Sequence, residues 1–152
     1  MEIVVDDLTG EAIARFLDEH LEDMRSISPP ESKHALDLEG LRVPEVTFWT
    51  VLDAGQLFAC GAIKELDQSH AEVKSMRTDP GQRGRGTASM LREYIIGESK
   101  RRGYSRISLE TGSMDYFLPA RNLYLKHGFE FCPPFAAYVE DPNSVFMTLN
   151  LG

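Results

Sequence analysis

The chain has 152 residues and a formal net charge of −8, from 16 lysines and arginines and 24 aspartates and glutamates. This length is typical of one domain, and we expect residues 1–152 to form a single domain. The acidic balance argues against a nucleic-acid partner, because phosphate contact needs a broad basic surface. The sequence shows neither a membrane-spanning apolar run nor a signal peptide, so we expect a cytoplasmic protein with no membrane partner.

The cysteines point away from a metal site. Cys60 and Cys132 are the two cysteines of the chain, and they lie far apart without zinc-ligand spacing. We therefore interpret them as half-buried thiols in a reducing compartment and expect no metal.

The first part of the chain alternates between strand and helix. Residues 1–5 predict a strand, and Thr9 is a candidate N-cap for a helix that ends before two prolines. A second short helix should follow these prolines. The apolar residues at helical spacing are Ile13, Phe16, Leu17, Leu21 and Met24 in the first helix, and Ala35, Leu38 and Leu41 in the second.

Three strands in antiparallel succession are predicted next. Residues 46–52 and 57–66 form a hairpin around the turn sequence DAGQ, and residues 71–78 return beside them. Strict alternation in the third strand places Ala71, Val73 and Ser75 on one face, and Glu72, Lys74 and Met76 on the other.

The rest of the chain predicts two helices and three more strands. A helix with Leu91, Tyr94, Ile95 and Glu98 on one side ends at the basic run before Gly103. A strand at 107–111, a helix from Pro119 to His127 with Gly128 as its C-cap, and strands at 129–131 and 145–151 complete the chain. This order indicates an α+β fold, a mixed, mostly antiparallel sheet with helices on both faces.

The bend before the helix that carries Leu91 is rich in glycine and arginine. Residues 77–86 contain three glycines and three arginines, and a helix follows at once. A helix start presents unpaired N–H groups and partial positive charge, and glycines let backbone approach a ligand, so the bend predicts a diphosphate site. A solvated turn is the alternative that this segment leaves open.

Two familiar phosphate motifs do not fit the bend. A Walker motif needs a lysine where Thr87 follows Gly86, and the dinucleotide fingerprint needs a glycine at Ser89. Both absences argue against a nucleotide-binding protein.

Two segments resemble the GNAT N-acetyltransferase superfamily. Residues 83–88 (RGRGTA) match its [QR]-x-x-G-x-[GA] signature, and residues 120–129 (ARNLYLKHGF) match its A-x-x-[LF]-Y-x-[KR]-x-G-[FY] segment, in the same order as in the family. The order of elements along the whole chain is also similar. Residues 28–37 resemble a segment of a bacterial subgroup of acetyltransferases.

The resemblance implies acetyl-CoA as co-substrate. Its pyrophosphate would lie on the backbone N–H groups of Arg83, Gly84, Arg85, Gly86, Thr87 and Ala88. Its pantetheine arm would pair with the backbone near Met76, Arg77 and Thr78, where that strand separates from the strand at 107–111. Many members carry an asparagine where this chain has Phe117, and the nearby Asn122 is the candidate for its contact with CoA.

The resemblance also implies roles at the reacting centre. Tyr124 would protonate the departing CoA thiolate. Glu72 is the candidate base, and Glu110 could take the same role through water. A backbone N–H near Met76 would stabilise the oxyanion. His34, Glu110 and Tyr138 are candidate substrate contacts.

We therefore expect an N-acetyltransferase that transfers the acetyl group by direct attack in a ternary complex. The expected acceptor is a primary amine of a small molecule. One alternative is a non-catalytic acetyl-CoA-binding or sensing module, and another is acetylation of a protein or peptide amine. The acceptor depends on loops without a transferable code. Dimers are common in this family, so a homodimer stays open.

Overall fold

A computed structural model of the chain describes residues 1–27, 38–79, 81 and 86–152, without the side chains of residues 20–27 and 39. These residues form one mixed sheet with helices against both faces. The strands are β1 (Glu2–Val5), β2 (Val46–Asp53), β3 (Gln56–Glu65), β4 (His70–Thr78), β5 (Arg106–Gly112), β6 (Glu130–Cys132) and β7 (Ser144–Asn150). The helices are α1 (Glu11–Ile27), α2 (Leu38–Leu41), α3 (Thr87–Arg101) and α4 (Leu118–Lys126).

The sheet has the order β1-β2-β3-β4-β5-β7-β6, and every neighbouring pair is antiparallel except β4 and β5. The predicted α+β class with a mostly antiparallel sheet is confirmed. The predicted hairpin is also present, since β2 and β3 pair as antiparallel neighbours. In its turn, Ala54 and Gly55 both have positive φ, at 51° and 80°. Such a pair suits the tight two-residue turn that twisted antiparallel strands prefer.

The start of α1 differs from the prediction. The helix begins at Glu11, and the carbonyl of Gly10 accepts the first intrahelical bond, from the N–H of Ala14 at 3.3 Å. The hydroxyl of Thr9 instead donates to a carboxylate oxygen of Asp7 at 2.6 Å. Thr9 is therefore part of a local turn that competes with capping, and its prediction as N-cap is wrong.

Two apolar clusters divide the core between the faces of the sheet. On the α1 face, Phe16 and Leu17 pack with Phe48 and Cys60. On the α3 face, which α3 and α4 cover, Leu91 and Ile95 pack with Trp49. Alternation along β3 feeds both clusters, since Ala59 and Ile63 belong to the α3 face and Cys60 and Ala62 to the α1 face.

A β-bulge interrupts β4. Its register to β3 shifts between Cys60 and Ala62, and Ser75 has a φ of 57°, in the left-handed region. The buried thiol of Cys60 donates to the carbonyl of Ser75 at 3.3 Å, and burial raises the pKa of this thiol to about 12. Cys60 is thus fully buried rather than half-buried, while Cys132 is half-buried as predicted.

The bulge reverses the predicted alternation beyond it. Met76 packs with the core of the α3 face, and Arg77 lies over the ring of Phe16 on the α1 face. The prediction that Met76 shares a face with Glu72 is therefore wrong, because one extra residue in the strand exchanges the two sides.

The parallel pairing of β4 and β5 is short. It joins His70 with Arg106, Ala71 with Ile107 and Glu72 with Ser108, and no further ladder pair follows. Beyond this junction, residues 73–78 of β4 and 109–112 of β5 border an open gap, which we call the wedge. The edge of β4 that faces the wedge has no partner strand among the described residues.

The glycine at the end of β5 offers a test of the packing beside the wedge. A Cβ added to Gly112 would overlap the ring of Phe117, so we expect Gly112→Ala to lower the free energy of unfolding by about 1–3 kcal/mol. Gly97 lies in the interior of α3 with open space around it, and Gly97→Ala should raise that free energy by about 0.5–1 kcal/mol. Chemical denaturation of both variants measures the difference. Equal stability of the two proteins would contradict this packing of Phe117.

Candidate active site

The start of α3 lies at the same end of the sheet as the open side of the wedge. The hydroxyl of Thr87 lies 3.8 Å from the sulfur of Met1, and Met1 precedes β1 at the end of the sheet where β4 finishes. Gly86 precedes the helix in the left-handed region, with φ at 79°, and no side chain caps the first turn. The first N–H groups of α3, at Thr87 and Ala88, are thus available to a ligand. Arg83, Gly84 and Arg85, which the sequence also assigns to phosphate binding, lie outside the described residues.

Tyr124 reaches the apex of the wedge from the α3 face. It lies on α4, is 5% exposed, and belongs to the same core cluster as Val73 and Ile107. Its ring makes an edge contact with Phe129 at 5.3 Å between centroids. Its hydroxyl has no hydrogen-bond partner in the part of the chain that the structure describes, and is thus able to donate to a ligand.

Glu72 lies on β4 next to Val73, at the apex of the wedge, but its side chain points to the α1 face. It is 4% exposed, and its Oε2 accepts hydrogen bonds from the Tyr138 hydroxyl at 2.5 Å and from Lys74 Nζ at 3.0 Å. Its Oε1 accepts no bond from the residues that the structure describes. The two bonds fix the carboxylate and leave Oε1 for a further donor.

Tyr138 comes from the segment between β6 and β7 and closes over this carboxylate. Its ring lies 5.2 Å from that of Phe135 and 5.5 Å from that of Phe146. Burial, followed by the nearby charge of Glu72, raises the pKa of Tyr138 far above its usual range. Tyr138 therefore stays protonated at neutral pH and acts as a donor to Glu72.

The second carboxylate on this face is Glu110 of β5. Its Oε2 accepts a hydrogen bond from the buried Ser144 hydroxyl at 2.6 Å. Glu72 and Glu110 thus flank the wedge from its two bordering strands. We call the α1 side of the wedge, which this pair and Tyr138 border, the pocket.

A chain of polar side chains supports the junction below this pocket. His70 Nε2 lies 2.7 Å from the Ser108 hydroxyl, which lies 2.9 Å from that of Thr148. Burial, with Arg106 nearby, lowers the pKa of His70. The neutral imidazole therefore satisfies this network at neutral pH.

The other predicted cofactor residues lie in several environments. Met76 is partly buried under the core of the α3 face, Thr78 ends β4, and Asn122 is exposed on α4. The side chain of Arg77 is turned toward α1, with its guanidinium 3.9 Å from a carboxylate oxygen of Glu19. Only the backbone of Arg77 can therefore take the predicted role at the wedge. His34, a predicted substrate contact, lies outside the described residues.

Sequence reasoning missed the buried polar residues that support the predicted ones. Lys74 and Ser144 hold the two carboxylates, and Arg92 lies with its guanidinium carbon 4.4 Å from the centroid of the Tyr124 ring. A signal existed for Arg92, since it follows Leu91 and lies one turn before Ile96, within the buried side of α3. No group of three or more metal-binding side chains occurs in the part of the chain that the structure describes. Within that same part, no helix is long and apolar enough to cross a membrane.

Comparison with known proteins agrees with this geometry. The family model of the Acetyltransferase (GNAT) family matches residues 13–129. The uncharacterized N-acetyltransferase YsnE of Bacillus subtilis (strain 168) is 54% identical over 151 residues, which is 99% of this chain and 100% of that protein. An IAA acetyltransferase of Azospirillum brasilense is 35% identical over 138 residues, covering 90% of this chain and 89% of that protein.

A solved structure shares the fold at low sequence identity. An aminoglycoside 6'-N-acetyltransferase complexed with coenzyme A aligns with a TM-score of 0.71 at 16% identity, over 99% of this chain and 97% of that one. The sheet with its wedge, together with these matches, defines an acyl-CoA N-acyltransferase fold. The chain belongs to the Acetyltransferase (GNAT) family and is an N-acetyltransferase. Proteins of this family take the acetyl group from acetyl-CoA and act on amines.

Proposed function

We propose that this protein transfers the acetyl group of acetyl-CoA to a primary amine of a small molecule, by direct attack in a ternary complex. The observation that carries the proposal is the wedge, which Tyr124 approaches from the α3 face and Glu72 from the α1 face. A proton donor and a proton acceptor thus flank one gap from opposite sides. The residues fit acetyl-CoA, because the free edge of β4 can pair with its amide groups and the start of α3 can hold its phosphates.

The proposed reaction needs three proton transfers when the acceptor enters as an ammonium ion. Oε1 of Glu72 takes the first proton from that ammonium ion, directly or through one water, and leaves a neutral amine. The amine nitrogen then attacks the thioester carbon, the carbon–sulfur bond breaks, and the electron pair of that bond leaves with the sulfur. The nitrogen gives its second proton to water as the amide forms. The Tyr124 hydroxyl gives its proton to the sulfur, so that CoA leaves as a thiol. A backbone N–H near Met76, within the bulged part of β4, donates to the carbonyl oxygen.

The charge around the pocket favours a cationic acceptor. Glu72 and Glu110 bring two carboxylates to the site, Lys74 compensates one of them, and the chain as a whole has a net charge of −8. An acidic surface raises the local concentration of amines that carry positive charge. Phe135 and Phe146 add an apolar wall for the rest of the acceptor.

Thiol release tests the reaction. We expect the purified protein to release CoA from acetyl-CoA when small primary amines are added, with diamines and amino sugars ahead of neutral amines. IAA, which is not a primary amine, is tested separately as an acceptor because of the name of the Azospirillum relative. Binding of acetyl-CoA without thiol release on any small acceptor would replace this proposal with a non-catalytic module or with a protein amine as acceptor.

Two variants at Gly86 test the phosphate site. Asn and Asp tolerate the left-handed backbone of Gly86 similarly well, but only Asp adds a negative charge before α3. We expect Gly86→Asp to weaken acetyl-CoA binding at least about tenfold more than Gly86→Asn, since a nearby like charge opposes the diphosphate. Calorimetric titration measures both affinities, with ATP and NAD as ligands that should not bind. Equal affinities of the two folded variants would exclude the start of α3 as the phosphate site.

A further inference from the structure

Arg92 is a buried cation at the apex of the wedge. It lies on α3, is 8% exposed, and its Nε and Nη1 are buried without a hydrogen-bond partner among the residues that the structure describes. No carboxylate of those residues forms an ion pair with it. A buried guanidinium in this state costs free energy, so a fold that keeps it needs a compensating interaction.

The aromatic face of Tyr124 is the compensating group that the structure shows. The guanidinium carbon of Arg92 lies 4.4 Å from the centroid of the Tyr124 ring, well within the range of a cation–π interaction. Val73, Ile95 and Ile107 line the same small cavity. These apolar neighbours keep the local dielectric low, which strengthens electrostatic interactions between the two side chains.

The interaction becomes stronger when Tyr124 loses its proton. In the neutral phenol only the quadrupole of the ring attracts the cation, whereas in the phenolate part of the negative charge is delocalised into the ring beneath Arg92. An interaction that strengthens along the reaction coordinate lowers the barrier, while one that is constant does not.

We propose that Arg92 is a positioning residue that holds the Tyr124 ring and stabilises its negative charge while Tyr124 protonates the departing sulfur. In that step the Tyr124 O–H bond breaks, an S–H bond forms on CoA, and the electron pair stays on the phenolate. The phenolate is protonated again by water after CoA leaves. The inference rests on the proposed role of Tyr124 in the proposed function.

The other titratable groups that the structure describes near Arg92 and Tyr124 do not place a buried positive charge against the Tyr124 ring. His127, at the end of α4, has its Nε2 3.1 Å from the hydroxyl of Ser89, and burial lowers its pKa, so it is neutral at neutral pH. Lys126 and Glu93 are exposed beside it. Arg92 is thus the buried cation that the structure places against the Tyr124 ring.

The test compares Arg92→Met with Arg102→Met. Arg102 follows the same helix and lies over Trp49 at 5.5 Å, away from the wedge, so it controls for the loss of a stacked arginine. We expect Arg92→Met to lower kcat about tenfold with an unchanged KM for acetyl-CoA, and Arg102→Met to leave kcat unchanged. The melting temperature of Arg92→Met should be equal to or above that of the wild type, because the substitution removes a buried charged group whose Nε and Nη1 have no hydrogen-bond partner among the described residues. Arg92→Lys keeps a cation of different shape, so its kcat should lie between those of the wild type and Arg92→Met.

A double-mutant cycle separates positioning from packing. In the Tyr124→Phe background, where no phenolate can form, Arg92→Met should cause no further loss of kcat. A full additional tenfold loss in that background would overturn the proposal, and so would an unchanged kcat of Arg92→Met. If Arg92→Met fails to fold, Arg92→Lys replaces it in the cycle. A loss of kcat in the Tyr124→Phe background as large as in the wild-type background would then overturn the proposal. Absence of thiol release by the wild-type protein would instead refute the proposed function, and this inference with it.

Discussion

We expect the Tyr124→Phe variant to lose about 100-fold in kcat while it keeps its KM for acetyl-CoA, because a positioned general acid contributes about 10²–10⁴-fold to such a reaction. The substitution removes one oxygen atom. The ring keeps its contact with Phe129 and its position beneath Arg92. Since the hydroxyl has no hydrogen-bond partner among the described residues, the free energy of unfolding should stay close to that of the wild type. Steady-state thiol release and a thermal melt measure both quantities.

Tyr104→Phe is the matched control for this experiment. Tyr104 is a second buried tyrosine, and its hydroxyl donates to Glu65 Oε1 at 2.7 Å. Burial, followed by this hydrogen bond, raises the pKa of Tyr104 to about 12. Loss of this bond should lower stability by about 1 kcal/mol without a change in kcat. An unchanged kcat of Tyr124→Phe, beside a stable control, would remove Tyr124 from the reaction.

We expect Glu72→Gln to lower kcat/KM about 100-fold at neutral pH. Glutamine keeps the shape of the side chain and can still accept the bond from Tyr138, but it cannot take a proton from the amine. The defect should shrink as the pH rises toward about 10, near the ordinary pKa of an alkyl amine, because a larger share of the acceptor is then already neutral. A pH series of kcat/KM for wild type and variant measures this convergence.

The control for Glu72→Gln is Glu65→Gln, since Glu65 lies on β3 of the same sheet and also accepts a hydrogen bond from a tyrosine, Tyr104. That variant should keep the kcat/KM of the wild type at every pH. A defect of Glu72→Gln that is constant across pH would assign Glu72 to acceptor binding rather than to proton transfer. An unaffected kcat/KM would remove it from both roles.

The sequence predicted the elements well because their signals are local. Proline and glycine mark the ends of α4, where Pro119 lies in its first turn and Gly128 follows its end, and the hairpin turn lies where glycine permits it. The succession of β2, β3 and β4 also follows, because neighbouring strands joined by short turns pair with each other. The bulge at Ser75 carries no such signal, since serine rarely adopts a left-handed backbone and only the packing of β4 requires it there.

For the site residues too, the sequence predicted what has a local signal and missed what depends on tertiary contacts. Tyr124 and Glu72 could be named from motif and strand position. Their environments could not, because Tyr138 is 66 residues from the carboxylate that it contacts. The role of Arg92 required the distance between two helices, which no local pattern encodes.

The short β4–β5 junction turns the sheet into two leaves joined at a hinge. One leaf contains β1 to β4 and the other β5, β7 and β6, and the junction holds three residue pairs at the narrow end of the wedge. The core of the α3 face contains residues of both leaves, whereas the described strand residues in the apolar cluster of the α1 face all belong to the first leaf. The apolar core therefore joins the two leaves on the α3 face. On the α1 face they are linked by polar and aromatic contacts such as that between Tyr138 and Glu72. Bending of the sheet about this hinge would change the width of the gap in which the acetyl group would be transferred.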